Sequence, residues 1–403
     1  VDRGHLVKGY KPVYWSVVGG SALAEAEVEY QEKESYAIDV RFKPIELRSF
    51  LNKFSVSDGA AKDQDVSVVI WTTTPWTLPS NQAVCLNKNL QYALLDVQVG
   101  SNREYIVIAN DMINQVMSRY KCNSFKLVGE CLGAELEGEQ LYSPLTRFAV
   151  PVILGDHVTT EVGTGCVHTA PDHGVDDFNV AKKYGIDTLN LINSGGVFSE
   201  AAGEFGGLHV YKADSVVIDR LKIDNLLIKE EKINHSYAHC WRTKTPLIYR
   251  ATPQWFISMQ QEGLLNESLT AADNVTWVPD WGKARIELML KGSPDWCVSR
   301  QRSWGVPITL FVHKETGDLH PNTASLFEEI AQRIESSGIE AWFDLDSSEL
   351  IGDDSRDYEK VTDTLDVWFD SGVSHYSVLS ERDNLKYPAD LYLEGSDQHR
   401  GWF

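Results

Sequence analysis

Two stretches of the chain concentrate side chains able to bind a polar ligand and orient water. The first is Trp71-Thr72-Thr73-Thr74-Pro75-Trp76-Thr77-Leu78-Pro79-Ser80-Asn81. It leaves an apolar run that ends at about Trp71, and its two prolines preclude a regular helix. Four hydroxyls within six residues can hold a polar group by hydrogen bonds alone. The same threonines can instead close a turn on their own backbone, and residue types leave both readings open.

The second stretch runs from Gly163 through Cys166, His168, Pro171 and His173 to Asp177. It reads as a Gly-rich turn, a short strand ending near His168, a loop, and a helix starting near Asp176. Asp177 then sits in the first helical turn, where unpaired N–H groups favour a carboxylate. An imidazole and a carboxylate beside a loop can bind an ammonium group and orient water. Equally, Asp176 can be a helix cap and His168 a core histidine. His168, His173 and Asp177 lack a recognised metal-ligand spacing, so no metal is expected there.

A third set is C-terminal. It comprises the Asp295–Gly305 stretch with Arg300 and Arg302, the run Leu365-Asp366-Val367-Trp368-Phe369-Asp370-Ser371-Gly372, and the end from Asp390, where an apolar strand meets Glu394-Gly395-Ser396-Asp397-Gln398-His399. The carboxyl ends of strands in open α/β sheets are where nucleotides bind.

These groups need scaffolding, and the pattern supplies it in parts. Tyr10–Trp15 and Ala22–Tyr30, the latter from the alternation of Glu25, Glu27 and Glu29 with Ala26, Val28 and Tyr30, read as a β-ribbon turning at Gly19-Gly20. From about Ser35 to Leu227 come short β runs (Ile38–Phe42, Val66–Trp71, Tyr92–Val99, Tyr105–Ala109, Phe125–Val128, Val150–Leu154, Gly165–Thr169), interrupted by helical patterns at Asp111–Tyr120, Asp176–Tyr184 and Ala213–Leu227. This predicts a barrel-like mixed α/β domain on a β-ribbon stalk. Residues 228–254 read as the returning ribbon. From Trp255 onward, helical patterns alternate with short apolar strands, which predicts a parallel α/β half-sheet with an insertion near 313–360, acidic over Asp344–Glu359. The domain boundaries read as 1–34, 35–227, 228–254 and 255–403.

The 403 residues carry 37 Lys+Arg against 58 Asp+Glu, a net charge of −21, which disfavours a protein that coats nucleic acid or anionic membrane. No apolar run approaches the roughly 20 residues of a membrane span. Six scattered cysteines without a Cys-x-x-Cys pair read as reduced, buried thiols, and the composition as that of a cytoplasmic protein. The start at Val1 and the aromatic end Gly401-Trp402-Phe403 read as those of a fragment.

Taken in order, the segments Gly20–Tyr30, Trp71–Asn81, Gly163–Asp177, Lys244-Thr245-Pro246 and the three C-terminal motifs resemble class I isoleucyl-tRNA synthetases of the bacterial type over essentially the whole chain. Valyl and leucyl relatives typically carry Thr-Thr-Arg-Pro in the first motif; here Thr74 occupies the Arg position. The resemblance implies that residues 35–227 form the editing insertion, which hydrolyses mischarged Val-tRNA-Ile, and that residues from Trp255 belong to the second half of a split Rossmann catalytic domain.

It further implies that Asp177 binds the substrate ammonium and that His168 excludes the isoleucyl side chain or positions the ester. Thr72, Thr73 and Thr74, with Trp71 and Asn81 nearby, would line the editing pocket. Glu394, Asp397, Gln398 and His399 would lie at the aminoacyl adenylate. Editing would need no cofactor, whereas the full-length enzyme, an expected monomer, would use ATP and Mg2+ to join isoleucine to tRNA-Ile. The family's His-Ile-Gly-His and Lys-Met-Ser-Lys-Ser signatures are absent from this chain. Ser16 and Gly19 stand where many relatives carry a Cys-x-x-Cys, and of the later cysteine pair only Cys240 remains because His239 replaces the other, so no stalk zinc is expected.

Overall fold

The computed structural model describes residues 1, 3–55, 65–99, 102–122, 124–292 and 295–393. The chain divides into two compact units, one made of Tyr30–His239 with Ile248–Ala251, the other of Val1–Glu29, Cys240–Leu247 and Thr252–Phe403. Segment 35–227 lies within the first of these.

That first unit is built on a ten-stranded mixed sheet. Its order is Val167–Thr169, Ala83–Leu86, Ala149–Leu154, Gln140–Tyr142, Val28–Pro44, Val66–Thr72, Asn102–Ala109, Gln91–Val99 and Phe125–Leu132, with Leu227–Cys240 also paired to Val28–Pro44. Most pairings are antiparallel; Ala83–Leu86 with Ala149–Leu154, and Val66–Thr72 with Asn102–Ala109, are parallel. The sheet curls so that its edge strand Val167–Thr169 packs back on Val66–Thr72, and this brings the two motifs together.

Closure demands a bare backbone. Gly165 has φ +73°, and a Cβ there would lie 2.3 Å from the Ala109 Cβ, while the Ala109 N–H donates to the Thr164 carbonyl at 2.8 Å. Any side chain at Gly165 would be strained by the positive φ and would push the strands apart.

Helices lie where the 3.6-residue pattern placed them, at Ile113–Tyr120, Val175–Lys183 and Val210–Ile223. Val180 packs into a core with Ala83, Cys85, Ile153 and Val158. That packing fixes the Val175–Lys183 helix against the sheet, and with it the first turn that bears Asp177.

The second unit differs from expectation in two places. Ala22–Tyr30 is not one strand: Ser21–Leu23 is followed by a 3₁₀ turn over Glu25–Glu27 before the strand Val28–Pro44 begins. The alternating Glu residues suggested continuity, yet Glu27 is buried, accepts from the Ala24 N–H at 3.0 Å and pairs with Arg300 and Arg302, so the backbone turns to bring it inward.

The parallel half-sheet expected after Trp255 is also not formed among the described residues. Trp296–Cys297 pairs with Ile248–Ile257, Ser299–Arg300 with Thr364–Leu365, and Phe311–His313 with Tyr358–Lys360, all antiparallel, and Leu391–Leu393 carries no strand. Each of these pairs joins segments tens of residues apart, so the alternation of helical and apolar patterns, which suggested parallel crossovers, does not by itself fix strand direction. The expected insertion has its own core, in which Phe311, Leu326, Ile330, Trp342, Leu345 and Ile351 are buried together, so part of the acidic stretch is packed rather than merely solvated. Among the described residues no helix is long and apolar enough to cross a membrane.

Candidate functional site

Beside the curled sheet an open cavity of about 350 Å³ is lined by Trp71, Thr72, Thr74, Thr77, His157, Val167, His168, Ala170, His173, Gly174, Val175, Asp176, Asp177 and Tyr249. The two motifs thus converge on one space.

The Thr-rich segment is half strand and half 3₁₀ turn, over Val66–Thr72 and Pro75–Ser80. Alternation and the turn after it place Thr72 and Thr74 on the cavity and leave Thr73 off it. The turn itself is fastened by the Trp76 N–H, which donates to Asp214 Oδ1 at 3.0 Å. Within the segment the hydroxyls form a chain. The Thr74 N–H donates to Thr72 Oγ1 at 3.1 Å, the Thr72 and Thr74 hydroxyls are 3.3 Å apart, and the Thr77 hydroxyl donates to the Thr74 carbonyl at 2.9 Å. The threonines thus close a turn on their own backbone, and three of them, Thr72, Thr74 and Thr77, also line the cavity.

The chain ends on His168. Thr77 Oγ1 lies 2.9 Å from His168 Nε2. Because the Thr77 hydroxyl spends its proton on the Thr74 carbonyl, Nε2–H is the donor here and Nδ1 is the bare nitrogen. Nδ1 is buried without a hydrogen-bond partner among the described residues. Burial, with His173 a smaller contributor, pushes the His168 pKa down to about 4, so the ring is neutral at pH 7. A neutral His168 can shape the cavity and accept a hydrogen bond, but it supplies no positive charge.

Asp177 lines the same cavity. Its Oδ2 accepts from the Ala170 N–H at 2.9 Å, and among the described residues Oδ1 makes no hydrogen bond. Burial raises its pKa to about 7 against the Ala170 N–H, which lowers it, and with Asp176, which raises it further. Desolvation thus outweighs the first helical turn, and the carboxyl is poised to ionise when a cation arrives.

The other expected residues fall elsewhere. Thr73 is half-buried off the cavity lining, and Asn81 is buried with its amide donating to the Ala83 carbonyl at 2.8 Å. Glu394, Asp397, Gln398 and His399 lie outside the described residues. Sequence reasoning missed Thr77 as a holder of His168, and missed His157 and Tyr249 altogether. Tyr249 arrives on a strand more than seventy residues away, and no local pattern signals it. All six cysteines are free and buried, and burial pushes Cys85 up to about 12 and Cys166 higher still, so neither is a nucleophile at neutral pH. Among the described residues no group of three or more His, Cys, Asp or Glu is placed to hold a metal.

Near the start of the chain, a Cβ on Gly19 would lie 2.9 Å from Ser16 Oγ and 3.8 Å from the Thr243 methyl, and although burial works against it, the Thr243 and Ser16 hydroxyls hold the Cys240 thiol below its ordinary pKa. The residue gathered with Ser16, Gly19 and Cys240 is therefore Thr243. His239, which the sequence suggested, instead turns its Nδ1 to the Tyr237 carbonyl at 2.8 Å.

A mixed sheet thus curls over a cavity of hydroxyl, imidazole and carboxylate groups. The sequence matches the family of class I tRNA synthetases (I, L, M and V) over residues 1–403, and the chain belongs to that family. It is 62% identical over 402 residues to the isoleucine–tRNA ligase of Marinomonas sp. (strain MWYL1) and 58% identical over 403 residues to that of Saccharophagus degradans. Each alignment covers 100% of this chain and 42% of the relative, so the chain spans about two fifths of their length. The solved Plasmodium falciparum cytosolic leucyl-tRNA synthetase editing domain aligns with 50% of this chain and 99% of its own, at 10% identity and a TM-score of 0.40.

Proposed function

We propose that this chain carries the proofreading site of an isoleucine–tRNA ligase, which hydrolyses the ester of tRNA-Ile mischarged with valine. The observation that carries the reading is that Asp177 and the Thr72–Thr74–Thr77–His168 chain line one cavity. Valine differs from isoleucine by one methylene, worth only about 1–3 kcal/mol in a binding pocket, a limit for which isoleucyl enzymes are the standard case. A second pocket that rejects by size meets that need.

In this reading Asp177 binds the α-ammonium of the aminoacyl group, a charge-assisted bond that pulls the carboxyl into its ionised form. Thr72 and Thr74, with Trp71, line the space for the amino acid and the terminal adenosine. His168, neutral and held by Thr77, sets the far limit of the side-chain pocket. Water supplies the nucleophile: its oxygen adds to the ester carbonyl, the bond to the ribose oxygen breaks, and that oxygen takes up a proton as valine leaves. Thr73 and Asn81 act only through the segment they belong to.

In the longer protein, ATP with Mg2+ drives the joining of isoleucine to tRNA-Ile, with Glu394, Asp397, Gln398 and His399 at the adenylate; that protein acts as a cytoplasmic monomer. The test is deacylation of Val-tRNA-Ile and Ile-tRNA-Ile by this chain. Selective hydrolysis of the valyl ester supports the reading, and equal or absent hydrolysis of both overturns it.

A further inference from the structure

The loop between Thr169 and Val175 tethers Asp177 and lines the cavity, and one side chain fastens it to two other segments. His173 Nδ1 lies 2.9 Å from the Tyr249 carbonyl oxygen, and its Nε2 lies 3.2 Å from Ser80 Oγ. A carbonyl can only accept, so Nδ1 carries the proton and donates. In the neutral ring Nε2 then accepts from the Ser80 hydroxyl. Burial keeps the ring neutral by pushing it down to about 4. The Trp76 ring packs on it at 4.9 Å between centroids and 65°, nearly edge to face.

The same loop is stitched at its other residues. The His173 N–H donates to the Ala170 carbonyl at 2.8 Å, the Ala251 N–H donates to the Asp172 carbonyl at 3.0 Å, and the Ala170 N–H holds Asp177 Oδ2. Gly174 lies close to the carboxyl: a Cβ there would be 3.2 Å from the Asp177 carboxyl carbon, so the side chain would have to give by a few tenths of an ångström. The loop and the carboxylate are thus in direct contact at both ends of the turn.

We infer that His173 is a positioning residue for Asp177: it pins the 170–174 loop to Tyr249 and Ser80, so that Ala170 holds one carboxylate oxygen and leaves the other for the substrate ammonium. Both ring nitrogens are engaged within the protein, so His173 is neither acid nor base in the reaction. The inference rests on the reading of Asp177 as the ammonium anchor, and it adds a residue to that site.

The test is a double-mutant cycle on Val-tRNA-Ile deacylation with His173→Ala, Asp177→Ala and the double variant, each checked for fold by circular dichroism. An anchor used equally by substrate and transition state appears mainly in KM. His173→Ala should therefore lower kcat/KM roughly tenfold or more, mostly through KM. In the Asp177→Ala background the same change should have almost no further effect. His173→Asn, whose amide can donate to the Tyr249 carbonyl as Nδ1 does, should restore most of the loss. Ser80→Ala, a milder change that spares the fold, should give a smaller KM rise of the same kind. Equal losses in both backgrounds, or a loss confined to kcat with an altered pH profile, would overturn the positioning role. An Asp177→Ala variant that deacylates at the parental rate would instead overturn the functional reading beneath it.

Discussion

The backbone N–H of Ala170 donates to Asp177 Oδ2 at 2.9 Å, a bond that spans the loop joining a sheet edge to a helix and fixes the carboxyl at the cavity wall. One oxygen is held by the protein, and among the described residues the other is not. Burial raises this carboxyl to about 7, far above the roughly 3.9 of an unfolded aspartate.

The sign of the resulting pH dependence follows. The folded chain keeps a proton that the unfolded chain has already released, so this group's contribution to stability falls as pH rises from about 4 through 7. Activity runs the other way, because only the ionised carboxyl binds an ammonium. The kcat/KM for Val-tRNA-Ile deacylation should rise with a midpoint near 7, and the midpoint in kcat should lie lower because bound substrate favours the charged form. Asp177→Asn should lose this rise and cost about 1.5–3 kcal/mol, ten- to more than a hundredfold. The check is rate profiles for both proteins across this range; coincident profile shapes would remove Asp177 from the role.

His168 and Thr77 should separate by phenotype. His168→Ala enlarges the cavity, so the chain should begin to hydrolyse Ile-tRNA-Ile while keeping activity on the valyl ester. Thr77→Val preserves shape but strips the acceptor from His168 Nε2, at a cost of about 1–3 kcal/mol for the buried unpaired donor. Its loss should appear in thermal unfolding and as weaker discrimination between the esters. Unchanged discrimination in both variants would mean that His168 is only a core residue.

Both motifs were legible because each is contiguous and each sits where a strand gives way to a turn. The side of the strand each threonine takes was less so. Thr72 and Thr74 face the cavity and Thr73 does not because the strand ends at Thr72 and the 3₁₀ turn starts at Pro75, a boundary that residue types fix only loosely. Tyr249 and His157 reach the site through sheet curvature and so leave no local trace. Glu27 misled in the other direction: its alternation with Glu25 and Glu29 suggested a solvent-facing strand, but the arginines that draw it inward lie nearly 275 residues on, beyond the reach of any pattern.

The cluster of Ser16, Gly19, Cys240 and Thr243 offers one thiol, two hydroxyls and no side chain at Gly19, which is too few soft donors for a tetrahedral zinc. The chain purified and dialysed without chelator should contain well under one zinc per molecule by metal analysis. Chelator treatment should leave its thermal unfolding unchanged. A stoichiometric zinc, or a fall in melting temperature with chelator, would show that other residues complete a site.

The last prediction concerns Arg300, which lies with its side chain fully buried between two carboxylates. Its Nη2 is 2.8 Å from Glu27 Oε2 and 2.7 Å from Asp366 Oδ2, while Nη1 donates to the Cys297 and Ser299 carbonyls at 2.8 and 2.9 Å. Arg302 takes the other oxygen of Glu27 at 2.8 Å, and the Trp296 indole donates to Asp366 at 3.1 Å. Such a network contributes little against a well-packed apolar substitute, because desolvating the charges offsets their attraction. Removing one member is different, since it strands the others without solvent. Arg300→Ala should therefore cost about 3–5 kcal/mol, and Arg300→Lys nearly as much, because an ammonium cannot serve both carboxylates and both carbonyls in the same plane. Glu27 also shapes the 3₁₀ turn over Glu25–Glu27, so the loss should spread to that turn and to the strand Ser21–Leu23 before it. Hydrogen exchange resolves this: faster exchange at the Ala22 and Ala24 amides is the expected signature, and unchanged exchange there with full thermal stability would show that the network is dispensable.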